Sequence, residues 1–238
     1  MTTPVYIQST ALVKAAEQNS LKRVKELLSA GYNPNEKNEY ENSALAEAIF
    51  HGNIPMIKWF LQYGADPNAP ESEGFSALYE LVLSPSSRSY CILKRLLKAG
   101  ADANTVVMKR PLLFHAILHK NSKAVRILLK YGADPNLAKE GKVTPLMTAA
   151  YFADISIMEM LLKHGADVNA RDGSGCNALF YVVMGDCPWQ EILPRFKLLF
   201  KYGIDLHAQE EHDKNILQFG SRLDNATKRW LRKHGVKE

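Results

Sequence analysis

The feature that most restricts what this chain can fold into is a phrase that returns along its whole length. It has the form Leu-Leu-x-x-Gly-x-Asp-x-Asn. It reads Leu27-Leu28-Ser29-Ala30-Gly31-Tyr32-Asn33-Pro34-Asn35, then Phe60-Leu61-Gln62-Tyr63-Gly64-Ala65-Asp66-Pro67-Asn68. It recurs around Gly100, Gly132, Gly165 and Gly203, and in shortened form at Gly235. Successive glycines lie 33, 36, 32, 33, 38 and 32 residues apart. A period near 33 residues is the mark of a helix–turn–helix repeat, in which each unit covers its apolar face only by stacking on the next.

A second phrase precedes most of these glycines: Ser43-Ala44-Leu45, Ser76-Ala77-Leu78, Thr144-Pro145-Leu146, Asn177-Ala178-Leu179 and Asn215-Ile216-Leu217. Ser, Thr or Asn there caps the free amides of a first helix. Pro145 takes the first helical position, where its missing N–H costs little. The Leu-Leu pair closes the buried face of a second helix, the glycine supplies its left-handed end, and Asp-x-Asn suits a turn leading to the next unit.

Thr144-Pro145-Leu146-Met147-Thr148-Ala149-Ala150 resembles the opening phrase of the ankyrin-repeat family, and Leu161-Leu162-Lys163-His164-Gly165-Ala166-Asp167-Val168-Asn169 is similar to its closing phrase. The resemblance implies a mainly α ankyrin-repeat solenoid, its helix–turn–helix units joined by β-hairpin-like loops. The expected division is an N-terminal extension (1–7), six full repeats (8–214) and a C-terminal capping repeat (215–238), together one domain. The family's histidine in the opening phrase is replaced by Ala46, Tyr79, Phe114, Met147, Phe180 and Gln218. Apolar packing is therefore expected in place of the buried His–Thr hydrogen bond.

Chemistry-bearing motifs are missing. The chain has no Gly-x-x-x-x-Gly-Lys-Ser/Thr phosphate loop and no His-Glu-x-x-His pair. Gly173-Ser174-Gly175 reads as a hairpin tip. His207 and His212 flank Glu210 and Glu211 without a helical ligand spacing, and Cys187 and His164 belong to different repeats. No catalytic residue, metal site or cofactor is expected; the chain reads as a binding protein, not an enzyme. Cys91, Cys176 and Cys187 form no C-x-x-C pair, which fits a reducing compartment. No secretory leader is visible from Met1 to Thr10, and the apolar stretch Ala178 to Met184 is far short of a membrane span. The expected location is the cytoplasm or nucleus, or the host cytoplasm for a secreted effector, and the expected state is a monomer.

In the ankyrin family the two residues before the inter-helix turn face a concave groove. Here they include Phe50, His51, Leu83, Leu118, His119, Tyr151, Phe152 and Met184, with Tyr40 and Phe75 on adjacent hairpins. Such an apolar stripe marks an interaction site, here for a partner peptide or helix, unless some of its members tuck between repeats as core. His51 and His119 fit either ordinary groove polarity or a pH-dependent contact. Two repeats carry extra residues between their helices, around Ser84–Arg88 and Gly185–Trp189. They read as plain length variation or as decoration of a binding face, with Trp189 suited to contact. The family also implies Asn68, Asn136 and Asn169 as positions for asparagine hydroxylation.

The net charge of +5 resolves onto the same pattern. Second helices carry Lys22, Arg23 and Lys25, then Lys94, Arg95 and Lys98, then Lys123, Arg126 and Lys130. Hairpins carry Glu36, Glu39 and Glu41, then Glu71 and Glu73, then Glu210, Glu211 and Asp213. Solubility and helix dipoles account for most of the basic residues. The alternative is attachment to nucleic acid or an acidic membrane by the basic convex helices, which demands a steep salt dependence. The leading expectation is a protein-interaction scaffold, an adaptor or an effector delivered by an intracellular bacterium, with its partner in the groove.

Overall fold

The computed structural model describes residues 5–69, 77–152, 154–185, 187–219 and 222–237. The chain divides into two compact units, Met1–Val107 and Met108–Glu238. The first holds α1 (Val5–Glu17), α2 (Leu21–Ser29), α3 (Ala44–Phe50), α4 (Ile54–Gln62), α5 (Ala77–Leu83) and α6 (Ser87–Lys98). The second holds α7 (Leu112–Leu118), α8 (Ser122–Lys130), α9 (Pro145–Tyr151), α10 (Ile155–Lys163), α11 (Ala178–Met184), α12 (Ile192–Lys201), α13 (Ile216–Phe219) and α14 (Asn225–Lys233). The fold is mainly α, a solenoid of helix–turn–helix units. Among the described residues, extended structure is confined to two-residue strands at Val106–Val107 and Arg110–Pro111 and to single bridges, Lys37 with Ser43 and Gln209 with Asn215.

Helices of seven to nine residues are marginal in water by themselves, so capping and packing must hold them. The capping residues read from sequence act as expected. Ser43 accepts from the Ala46 amide (3.1 Å), Asn177 from Leu179 (3.1 Å) and Asn215 from Leu217 (2.9 Å). The second helices use Asn53, Ser86, Asn121, Asp154 and Asp224 in the same way. Ser76 lies outside the described residues. At Thr144 the replacement for the family histidine is more than apolar packing. The Thr144 N–H donates to the Met147 sulfur (3.4 Å), while the Met147 N–H donates to the Thr144 hydroxyl (3.2 Å). A thioether thus completes a reciprocal cap.

Second helices split cleanly into two faces. In α8, Ala124, Val125, Ile127, Leu128 and Leu129 are buried, while Lys123, Arg126 and Lys130 are exposed. Each second helix ends at a glycine with φ between 85° and 98°, from Gly31 to Gly235. A Cβ at Gly64 would meet nothing within 4 Å, so the requirement there is conformational. A side chain in that left-handed backbone costs about 1–2 kcal/mol.

The Asp-x-Asn phrase turns out to be a clasp between neighbouring repeats. Asp66 Oδ1 accepts from the Asn68 N–H (2.8 Å) and holds the turn. The Asn68 side-chain amide then donates to the Gly100 carbonyl (3.0 Å), and its oxygen accepts from the Asp102 N–H (2.7 Å). Asn35 does the same to Gly64 and Asp66, Asn136 to Gly165 and Asp167, and Asn169 to Gly203 and Asp205. Both polar atoms of each of these four asparagines are used.

Candidate protein-binding face

In the first unit, the fourth residue after the helix cap is Glu47 on α3 and Glu80 on α5. Neither carboxylate fits a core, so the helices leave a cleft of about 660 Å³ rather than closing on each other. Its walls include Ala46, Ile49, Phe50, Ala77 and Leu81, with Glu47, Glu80, Ser84 and Arg88 supplying polarity. Phe50 stands at its edge with 84% of its surface exposed. The ring meets His51 edge-on at 5.6 Å. His51 is half-buried and its Nε2 lies 2.9 Å from the Glu17 carbonyl, so this histidine ties α3 to the end of α1. Burial, and then the neighbouring Glu17 carboxylate, hold the Glu47 carboxyl above its ordinary pKa, against a smaller opposing pull from His51. Leu83 is half-buried and Tyr40 is 68% exposed on its hairpin; Phe75 lies outside the described residues.

The equivalent positions of the second unit are more enclosed. Leu118, Tyr151 and Phe152 are half-buried, with Tyr151 and Phe152 edge to face at 5.1 Å. His119 and Met184 are exposed. The stripe expected from sequence is therefore uneven: Phe50 and Tyr40 are presented in the first unit, while in the second Leu118, Tyr151 and Phe152 are partly tucked and His119 and Met184 are exposed. Gly185 does not face solvent. It is buried, and a Cβ there would collide with the Tyr151 carbonyl.

The second inserted loop is built rather than slack. Arg222 donates through Nη1 to the carbonyls of Val183 and Gly185 and through Nη2 to Cys187 (3.0 Å). On α12 Arg195, only 2% exposed, donates to the Glu191 carbonyl (2.7 Å) and carboxylate (2.8 Å). On this clasped loop Trp189 is 54% exposed.

The groups that could suggest chemistry are bound up in structure. Cys187 donates to the Val182 carbonyl, and His164 Nδ1 sits 2.8 Å from the Met160 carbonyl of its own helix. Burial, reinforced by Asp172, Glu210 and Glu211, pushes the Cys176 thiol up to about 11, which keeps it an unreactive thiol at neutral pH. The ligand atoms of Glu210, Glu211 and His212 fall within 4.8 Å of one another. His212 is paired with Glu210 at 2.9 Å, and the hydrogen bond raises the imidazole pKa and lowers that of the carboxyl. That cluster is a hydrogen-bonded His–Glu pair at a hairpin tip. No helix among the described residues is long and apolar enough to cross a membrane.

One pocket is not foreshadowed by the apolar pattern. It lies in the second unit between two hairpin tips, lined by Met108, Lys109, Arg110, Lys139, Glu140 and Gly141. The signal was in the sequence as a recurrence of base at hairpin rather than helix positions, Lys109-Arg110 and then Lys139 and Lys142.

The family model for ankyrin repeats (three copies) matches residues 6–71 and 81–172, well over half the chain. Among curated proteins, the ARF GTPase-activating protein Git of Drosophila melanogaster is 53% identical over 57 residues, 24% of this chain and 8% of that protein. The nuclear factor NF-kappa-B p105 subunit of Gallus gallus is 32% identical over 130 residues, 50% of this chain and 13% of that protein. The chain thus spans a small part of the length of these relatives. Among solved structures, the ankyrin repeat domain of Bcl-3, a member of the IkappaB protein family, is similar in fold with a TM-score of 0.72. That match has 23% identity and covers 94% of this chain and 97% of the other.

Proposed function

We propose, from the premise that this chain belongs to the ankyrin-repeat family, that it is a protein-interaction scaffold of six repeats and a C-terminal cap which takes a partner peptide or helix on its first-helix faces. Ankyrin-repeat domains are characteristically non-catalytic and serve as protein–protein interaction modules. The observation that carries the reading is Phe50, 84% exposed beside a mixed apolar and acidic cleft. A large aromatic left in water at a regular helix position gains nothing for folding and suits an anchor in an interface. The partner chemistry that fits the cleft is an apolar side chain next to a basic one, the latter meeting Glu47 and Glu80. Tyr40, Leu83, Leu118, His119, Tyr151, Phe152, Met184 and Trp189 are the proposed wider contact set. The cysteines Cys91, Cys176 and Cys187 are all free thiols, which supports a site of action in the cytoplasm or nucleus.

Affinity purification with the wild type and with Phe50→Ser tests the reading. Specific partners should be lost with Phe50→Ser while the thermal midpoint stays within about 2 °C, the scale expected for a surface change. An unchanged partner set, with folding intact, would overturn the assignment of this face.

A further inference from the structure

The second unit carries a basic pocket of about 490 Å³ with three cations on its walls, Lys109 and Arg110 from one hairpin and Lys139 from the next. Elsewhere in this unit the deeply buried Arg195 is paired with Glu191. Lys109, Arg110 and Lys139 have no carboxylate within ion-pairing distance among the described residues. Glu140 lines the same pocket, which still leaves it with a net excess of positive charge. Lys142 adds a further cation at the turn that closes this hairpin, where the Lys139 N–H donates to the Val143 carbonyl (3.0 Å).

Two more observations bear on the pocket. Lys139 is half-buried with its ammonium 5.9 Å over the Phe114 ring. Burial, and then repulsion from Arg110, hold its pKa below the ordinary lysine value, a crowding that a bound anion relieves. At the rim, Met108 and Lys109 both have positive φ, 50° and 60°, although neither is Gly, Asn or Asp. A turn of that kind ordinarily selects Asn-Gly, so this tip keeps a thioether and a cation at a backbone cost. Met108 is 60% exposed.

The geometry points to an anion-binding site for a protein segment: the pocket formed by Lys109, Arg110 and Lys139 receives a phosphoryl group or clustered carboxylates of a short acidic peptide, with Met108 as the apolar contact beside it. This rests on the interaction reading only in that a protein carries the anion. A fork-shaped guanidinium sharing a pocket with two lysines suits a tetrahedral or planar oxyanion. An extended polyanion fits less well. Glu140 sits within the pocket, and the hairpins of this unit turn acidic further along at Asp172, Glu210, Glu211 and Asp213, so the positive field is local. A nucleic-acid backbone or a membrane surface would meet both signs.

The test is an amide-resonance titration of the full chain with two probes, hexaglutamate and a hexapeptide containing one phosphoserine, in ~50 mM salt where the Debye length is roughly 14 Å. Shifts should cluster at residues 108–110 and 139–142. Lys109→Gln with Arg110→Gln, and separately Lys139→Gln, should each weaken binding about tenfold, as losing charge-assisted hydrogen bonds does. Lys22→Gln with Lys25→Gln should change it less than about twofold, and Phe50→Ser should leave it unchanged. Loss with Phe50→Ser alone would place the peptide on the first-unit cleft instead and would overturn the anion site. Retained affinity in both pocket variants, or shifts spread along α2, α8 and α14, would overturn the anion site. So would vesicles of phosphatidylserine binding more tightly than either peptide through these same residues. Thermal melts of every variant separate lost binding from lost folding.

Discussion

The two units use the same helix register and arrive at opposite surfaces. At the fourth position after the cap, α3 and α5 carry Glu47 and Glu80, while α7, α9 and α11 carry His115, Thr148 and Tyr181. His115 and Thr148 are each 4% exposed, with the Thr148 hydroxyl donating to the Thr144 carbonyl (3.1 Å). Tyr181 donates to Asp172 at 2.6 Å and is half-buried. Where the fourth residue is buried, or satisfies its polar atom locally as Thr148 and Tyr181 do, the helices close. Where it is a carboxylate that must stay near water, they leave the cleft that Phe50 overlooks. The binding surface thereby varies by one side chain per repeat while the asparagine clasps of Asn35, Asn68, Asn136 and Asn169 stay the same.

The largest expected effect breaks that comparison at its aromatics. Phe114 is fully buried and Phe50 is not, although both lie on first helices. Phe114→Ala should cost about 3–5 kcal/mol, the range for deleting a core phenyl ring. Phe50→Ala should cost within about 0.5 kcal/mol, as surface changes do. Urea unfolding of both variants checks this, and comparable losses would mean that Phe50 is core.

The inserted loops come next. That of the second unit is clasped by Arg222 on three carbonyls. That of the first is anchored by Ser86, which caps α6 through the Ser89 amide (2.9 Å). Arg222→Ala should destabilise by about 1–3 kcal/mol through lost charged hydrogen bonds. Ser86→Ala should cost about 1 kcal/mol, an ordinary cap. Faster amide exchange at residues 187–191 in Arg222→Ala would mark the loop as released; no change there would deny the clasp.

Much of this architecture was legible beforehand because the repeat writes each structural demand in a fixed place. Gly for the left-handed end, Leu-Leu for the buried face and Ser, Thr or Asn for the cap are local requirements, and local requirements survive in one sequence. The Arg222 clasp was not legible, since its partners are carbonyls 35 to 39 residues away and carbonyls leave no trace in residue identity. Exposure along the apolar stripe was hidden for a related reason. Phe50 and Tyr151 share a register position, and what separates them is how closely the flanking helices approach. The pocket at Lys109, Arg110 and Lys139 escaped because charge summed over helices obscures a few cations gathered by two turns.

The asparagine clasps should behave alike in both units, which tests whether the difference really is confined to the helix faces. Asn68→Ala and Asn136→Ala each remove one donor and one acceptor at a junction. Both positions are exposed, so each loss should be about 1 kcal/mol. Denaturation showing one variant far weaker than the other would mean that the junctions, and not only the faces, differ between units.

The smallest expected effect concerns Glu47. Its carboxyl is held above the ordinary pKa by burial first and by Glu17 second, with His51 pulling weakly the other way. A raised carboxyl binds its proton more tightly in the folded chain than in the unfolded one. Folding is therefore penalised above both pKa values, and the penalty fades as pH falls through the raised value toward that of the unfolded chain. Glu47→Gln removes the charge and with it the penalty, so this variant should melt slightly higher than wild type at pH 7. The gap should close below about pH 4, where an ordinary glutamate is itself largely protonated. Because the group is only half-buried, solvent screens most of the interaction and the shift in melting temperature should be small. Added salt should narrow it further by weakening the Glu17 contribution. Melting curves at the two pH values decide the matter: a gap of opposite sign at pH 7 would mean that the carboxylate is held by favourable contacts, and one that persists in acid would mean that packing rather than charge sets it.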